Sequence, residues 1–331
     1  MDFVKTYRDF LKGHLGAWEG FVSDARKGLP RPPSQKTHSE AAVLMDLVAP
    51  QDLTVGKMAL IDVMRRRRSR RQFTQEPLSL EELSFLLWAT QGVWKTLSTG
   101  SLLTVPSGGA QNTFETYLAV HRVTGLGAGL YRYLPLQHQL CLLRVDVDIA
   151  EKVGAVWEKW LAKAAVVFFW TTIPYRKEWL YHGSFSAKLI AMDCGHLMQN
   201  LYLASEAIGA GTCAVGAEDQ DKLDAFLEVD GKEEFFIYGA PVGKLNPRRR
   251  VEWRGEIAGI EKEGEVTRIR VNPNWDGDAF VVAFSSGDLS GFAVGDLVEV
   301  KGETVDTQSA YNGLPLLRGI SMEKDRDEPA S

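Results

Sequence analysis

The chain has 331 residues, 45% hydrophobic and 24% charged, with a formal net charge of −5, which suits a globular protein of one large domain with an appendage. No apolar run approaches the roughly 18 residues of a membrane span, and the opening MDFVKTYRDFLKGHLG lacks the apolar centre of a secretory signal. The acidic balance argues against a general nucleic-acid binder. Three cysteines without a CxxC pair (Cys141, Cys194, Cys213) read as reduced, buried thiols of a cytoplasmic protein, and no metal is expected.

Residues 1–57 read as an amphipathic helix (Phe3, Tyr7, Phe10, Leu11, Leu15) followed by a proline-rich basic arm, KGLPRPPSQK at 27–36. Such an arm is expected either to be disordered or to wrap a partner subunit. Met58–Arg66 reads as a helix running into Arg65–Phe73, RRRRSRRQF, where six arginines and a serine fill seven residues. Like charges at this density repel unless an anion faces them. Two readings stand at this point. One is a solvated or nucleic-acid-binding basic patch. The other is a phosphate site, because guanidinium forks and a hydroxyl grip phosphoryl oxygens well. After Pro77, Ser79–Glu82 forms a capping box. Leu80, Leu83, Leu86, Leu87 and Thr90 then follow at helical spacing up to Gly92. Trp88 and Trp94, at the end of this helix, are expected in buried packing.

Pro106-Ser107-Gly108-Gly109-Ala110 is a small-residue turn whose glycines let backbone approach a flat ligand; a strand is expected over Glu115–His121. The hairpin-like GLGAGLYRY at 125–133 fails as a dinucleotide fingerprint, since the third glycine is missing and a strand follows it. Trp157–Lys163 reads as helix and Ala164–Thr172 as a buried, continuously apolar strand. A long helix spans Ser184 to Ile208, with Ile190, Cys194, Leu197, Leu201, Ala204 and Ile208 along one side. His196, Gln199 and Asn200 on it read as structural polar residues. Val215-Gly216-Ala217-Glu218 is a second turn able to approach a ligand. Helix (219–226), strand (234–238) and a basic stretch to Arg250 complete this region.

Taken together, RRSRRQFT (67–74), PSGGA (106–110), ETYLAV (115–120), GLYRYLP (129–135), IPYRKEW (173–179), DCGHLMQNLYLASEAIGAGTCAVG (193–216) and EEFFIYGAPVGK (233–244) resemble the nitroreductase family of flavoproteins, and within it the SagB-type dehydrogenases. The resemblance covers residues from about 20 to 245. It implies an α+β fold over 58–250, a mixed sheet flanked by helices, in a homodimer with FMN held between the subunits. By the same resemblance Arg67, Arg68 and Ser69 reach the phosphate and ribityl chain, and Arg71 approaches the flavin N1/O2 edge. Pro106, Ser107 and Gly108 lie against the ring from the other subunit. Val215 and Gly216 sit near N5, and Arg248 or Arg250 supplies a last phosphate contact. No catalytic side chain is required, because the flavin carries the chemistry. The implied activity is hydride transfer from NAD(P)H to the flavin and on to a small organic acceptor. The alternative within the resemblance is azoline oxidation in peptides, which uses an adjacent Lys-Tyr pair. That dipeptide is absent here, and the nearest residues are Tyr175, Lys177 and Tyr181.

Beyond Arg250 the pattern changes. Residues 251–322 alternate β-branched and polar residues between glycine turns: Thr267, Ile269 and Val271 against Arg268 and Arg270, then AFVVAFS (279–285) and DLVEVKG (296–302). Short strands of this kind predict a small all-β barrel, and their order resembles an OB-fold. Such barrels often bind nucleic acid, and Trp253, Trp275 and Phe280 could stack on bases, but they are expected in the core or at an interface. Residues 251–331, however, hold 8 Lys and Arg against 16 Asp and Glu, a net of −8, a poor electrostatic funnel for a phosphate backbone. A protein-contact or lid role is expected instead, and residues 323–331 read as a disordered tail. The rival outside the enzyme class is a nucleic-acid-binding protein built on the arginine run and the barrel.

Overall fold

The computed structural model describes residues 12, 19–97, 100–216, 219–245, 250–273, 279–285, 289–304, 310–311 and 314–324. Two compact units divide the chain, residues 1–245 and 246–331. The helix expected at the N-terminus lies almost wholly outside the described residues, as do Trp275 and residues 325–331.

In the first unit the elements run β1 (Leu44–Asp46), α1 (Leu60–Arg66), α2 (Leu80–Gln91), β2 (Val93–Leu97), β3 (Gly100–Leu103), β4 (Phe114–Val120), β5 (Gly129–Leu134), β6 (Gln139–Val145) and α3 (Ile149–Val156). They continue with β7 (Val166–Thr172), α4 (Tyr175–Glu178), α5 (Gly183–Ala207), β8 (Ala210–Thr212), α6 (Gln220–Leu227) and β9 (Phe235–Lys244). Seven strands form one sheet in the order β1-β6-β5-β4-β7-β9-β8. Its ladder pairs are antiparallel, and a parallel bridge from Ser69 to Thr212 on β8 gives it a mixed edge.

Both faces of the sheet are covered, and strand alternation explains how. On β4 and β7, Phe114, Leu118, Val120, Val166, Phe168 and Trp170 turn to the side where α2 and α5 pack, with Leu83, Leu86, Leu87, Leu197 and Leu201 among their neighbours. Tyr117, Ala119, Val167 and Phe169 turn to the other side, onto Ile149 and Val153 of α3 and Leu223 and Phe226 of α6. With two apolar faces to fill, β4 and β7 are buried at every position, which is why they read as continuous apolar runs rather than alternating ones.

Several expectations need correction. The proline-rich arm docks on its own chain. The Lys36 backbone N–H donates to Glu115 at 2.8 Å, its ammonium reaches Glu234 and Tyr117, and Arg132 donates to the Thr37 carbonyl at 2.7 Å. An extended proline-rich chain has no internal partners for its polar groups, so it takes them from the sheet. It then adds β1 as an edge strand paired with β6. Trp94 is 62% exposed, because Gly92 turns the chain out of α2 into the β2–β3 hairpin. Of the helix expected over 157–163, a single 3-10 turn (Lys159–Lys163) forms, and the regular helix is α3 just before it.

The second unit holds β10 (Arg250–Glu263), β11 (Val266–Pro273), β12 (Phe280–Phe284), β13 (Leu297–Thr304), β14 (Ala310–Tyr311) and β15 (Leu314–Lys324). Antiparallel pairs join β11 to β10 and β12, and join β13 to β10 and β15. A parallel pair between β12 and β15 returns the ladder to its start. Ile257, Ile269, Val271, Val282, Val298 and Val300 fill the space enclosed. Trp253 packs at a tilt against the buried Phe280, 4.7 Å between ring centroids, so these two rings belong to that core. β15 runs to Lys324, so the first two residues of the expected tail are strand, and the rest of it lies outside the described residues.

Candidate functional site

The arginine run starts inside α1 and leaves it at Arg67, whose backbone turns extended (φ −52°, ψ 123°). From there the chain lies along the sheet edge. The Arg70 N–H donates to the Thr212 carbonyl at 2.8 Å, and the Thr74 N–H donates to the Lys244 carbonyl at 2.9 Å. Gly211 makes this close approach possible: a Cβ there would stand 2.6 Å from Cβ of Arg70.

The structure sorts the arginines by partner. Arg65 pairs loosely with Asp62 at 3.8 Å, and Arg66 turns to Glu206 at 3.4 Å. Arg70 and Arg68 donate to backbone carbonyls of the run, Arg70 to Arg66 and Arg68 to Arg65 and Arg67. The Arg67 guanidinium lies 5.3 Å from the centroid of the Tyr202 ring, a cation–π contact. Arg68, Ser69 and Arg71 are exposed. Outward-facing cations beside a hydroxyl therefore remain at the end of α1.

Tyr202 of α5 ties this group together. Its hydroxyl is 3.0 Å from Oγ of Ser69 and accepts the Ala214 N–H at 2.9 Å. Val215 next to it exchanges backbone hydrogen bonds with Gly239, and Gly216 lies exposed beside the Tyr238 ring. Arg67, Ser69, Val215 and Gly216 are thus brought together. Tyr202 and Glu206 were not singled out by the sequence reading. Glu206 left a signal: α5 carries only two carboxylates, Asp193 and Glu206, and Glu206 stands one turn from Tyr202 on the same face. Burial raises the Glu206 carboxyl above the usual range, against the opposing pull of Arg66, Arg68 and Arg67.

The Pro106–Gly108 turn lies elsewhere. The Gly108 N–H donates to Asp193, also on α5 but nine residues before Tyr202. Nine helical residues mean about 13 Å along the axis and half a turn around it. One chain therefore holds the two groups of expected site residues apart, on opposite sides of α5. Arg248 lies outside the described residues, and Arg250 opens β10 with its backbone opposite Glu303.

Two further features lie near α1. Leu60, Ile61 and Met64 are each more than half exposed. A cavity of about 460 Å³, walled by Met58, Val63, Phe85, Trp88, Trp94 and Leu203, opens beside them. Of the residues weighed as structural, Asn200 holds the Ala89 carbonyl at 2.8 Å. The three cysteines are buried and free. Among the described residues no helix is long and apolar enough to cross a membrane.

The chain is a helix-covered α+β sheet with cations and a hydroxyl gathered beside a glycine-containing turn at its edge. Over residues 64–244 it matches the family model described as Nitroreductase family. A protein of Methanocaldococcus jannaschii named as a candidate nitroreductase is 31% identical over 191 residues, 57% of this chain and 93% of that protein. The crystal structure of a candidate nitroreductase from Ralstonia eutropha JMP134 superposes with a TM-score of 0.52 at 25% identity, over 66% of this chain and 99% of that one. The chain belongs to the nitroreductase family, whose members are flavin-dependent oxidoreductases.

The residues present fit a phosphorylated flavin. Exposed Arg68, the stacked Arg67 and the Ser69 hydroxyl are donors suited to a phosphate, and exposed Arg71 is a further cation beside them. Thr212 Oγ1 and Arg70 Nε, at the same edge, are buried without a partner, so polar groups remain to be satisfied there.

Proposed function

We propose that this protein is an FMN-dependent oxidoreductase that takes hydride from NAD(P)H and reduces a small organic acceptor, working as a cytoplasmic homodimer. The observation that carries the proposal is the Ser69–Tyr202–Ala214 linkage, which sets the outward-facing arginines beside the Val215–Gly216 turn in a chain of this family. In this reading Arg67, Arg68 and Ser69 bind the phosphate and ribityl chain. Arg71 offers positive charge to the N1/O2 edge, where negative charge develops on reduction. Val215 and Gly216 approach the N5 edge, and Arg248 or Arg250 adds a phosphate contact. The bound flavin would supply the redox chemistry, accepting hydride from the donor and passing electrons to the acceptor.

Pro106, Ser107 and Gly108 enter the site from a second copy. Their anchor on α5, Asp193, lies about 13 Å along the helix and half a turn around it from Tyr202, the partner of Ser69, which supports a site shared between two chains. The exposed Leu60, Ile61 and Met64 support an apolar contact surface.

Within the family we place the chain nearer the SagB-type dehydrogenases, on its PSGGA and GLYRYLP segments. Azoline oxidation is disfavoured for a physical reason: Lys177 is fully buried and bonded to Asp193, so its ammonium is not free to act on a substrate. We read the second unit as an OB-like barrel. Its pairing order and its parallel β12–β15 contact support that reading, while the net charge of −8 over residues 251–331 favours a protein contact over nucleic acid.

The test is the double substitution Arg67→Ala with Ser69→Ala. The variant is expected to purify folded but depleted of flavin, and the wild type to carry FMN that bleaches when NADH or NADPH is added without oxygen. Full flavin occupancy in the variant would sink the phosphate assignment. A colourless wild type that FMN cannot reconstitute, yet which is retained on DNA or RNA in a salt-dependent way, would return the arginine run to nucleic acid.

A further inference from the structure

Lys177 and Asp193 form a buried ion pair for which the proposed chemistry has no use. The Lys177 side chain is fully buried, and its ammonium donates to Asp193 Oδ2 at 2.6 Å, the Gln111 carbonyl at 2.7 Å and the Gly108 carbonyl at 3.0 Å. Asp193, 5% exposed, accepts the Gly108 N–H on both oxygens, at 3.1 and 3.2 Å. One ion pair therefore holds both backbone groups of Gly108 and closes on the carbonyl three residues later. His196, 3.9 Å from Asp193 and 46% exposed, and the buried Cys194 thiol next to Asp193 are titratable groups nearby.

The same turn is gripped from two more sides. Gly109 and Ala110 both have left-handed backbones (φ 65° and 52°), a conformation that costs energy for Ala110 and persists only under external constraint. A Cβ on Gly109 would stand 2.6 Å from the Tyr181 hydroxyl and 2.9 Å from the Leu180 side chain. Arg31, from the docked arm, donates to the Ala110 carbonyl at 2.8 Å. A buried ion pair gives little stability that apolar side chains of equal size would not give. What it gives here, and they could not, is directed bonds to the backbone of a turn.

We propose that Lys177 and Asp193 are positioning residues that lock the Pro106–Ala110 turn in the conformation in which it meets the flavin. The proposal rests on the flavin reading above. It also refines it: the Gly108 N–H is bonded inward, so Pro106 and Ser107 make the contact with the cofactor and Gly108 sets the shape of the backbone.

The test compares the wild type, Lys177→Met/Asp193→Leu and Asp193→Asn by FMN titration of the apoprotein, by the visible absorption and fluorescence of the bound flavin, and by apoprotein melting. The double variant removes both charges together and is expected to fold. It should bind FMN on the order of tenfold more weakly, with a spectrum and fluorescence closer to free FMN because the turn no longer rests on the ring. Asp193→Asn keeps the shape and one acceptor; it is expected to weaken FMN binding by less, in the same direction, and it decides the matter if the double variant does not fold. FMN bound by the folded variants with wild-type affinity and spectrum would overturn the positioning role alone. A wild type that takes up no FMN would overturn the flavin reading and this inference with it.

Discussion

At the residue scale, burial and partner set what a side chain does. His121 is an example outside the site. Its Nδ1 donates to the Ala164 carbonyl at 3.0 Å, while Nε2 is buried without a partner. Protonation would place an unpaired N–H in the interior, so burial pushes the imidazole down to about 4 from an ordinary value of 6.5. The unfolded chain then binds the proton more readily than the folded one. Stability is full above pH 6.5 and is lost as pH falls towards 4, by about 2 kcal/mol between pH 7 and pH 5. Denaturant titrations at the two pH values should show that loss, and His121→Phe should flatten it; an unchanged loss in the variant would assign the effect elsewhere. The arginine run teaches the same lesson. Its charge density was legible in the sequence. The division into Arg66 paired with Glu206, Arg67 stacked on Tyr202 and outward Arg68 and Arg71 was not, because Glu206 and Tyr202 lie more than 130 positions away.

Elements were the most legible level, since their ends are written in neighbouring residues. The capping box of α2 forms as expected: the Ser79 hydroxyl accepts the Glu82 N–H at 3.1 Å, and the Glu82 carboxylate accepts the Ser79 N–H at 2.9 Å. The tertiary fold adds a second use, because the Lys244 ammonium at the end of β9 reaches the other oxygen of Glu82. Two substitutions separate these roles. Ser79→Ala should cost about 1 kcal/mol, the ordinary value of an N-cap. Glu82→Ala should cost more, because it also leaves the largely buried Lys244 without its carboxylate. Equal shifts of the urea midpoint in the two variants would show that the Lys244 contact contributes nothing. Where local signals failed, neighbours competed with distant partners. β1 has three residues and becomes a strand only because β6 offers it an edge, and the arm carried no periodicity from which its docking could be read.

For the whole molecule, the distribution of the core makes a prediction. Two buried clusters draw their residues from Leu47 to Val242, and the third draws its own from Trp253 to Met322, with none shared. Cooperativity follows shared burial, so calorimetry should resolve two unfolding transitions. A chain ending at Leu245 should keep the first of them and lose the second. A single transition in the full chain that disappears on truncation would show that the units do not fold independently.

The sequence by itself determined α2 and α5 with their ends to within a residue, the buried strands β4 and β7, the change of pattern near residue 250, and the family. These rest on caps, periodicities and short motifs whose physics acts within a few residues. The tertiary structure decided which arginines face outward, that the proline-rich arm covers its own sheet, that the Pro106–Gly108 turn and Ser69 lie on opposite sides of one helix, and that β12 meets β15. Each of these depends on pairing between residues far apart in the chain. No local preference encodes such a pairing, and it exists only once packing has closed the loops between them.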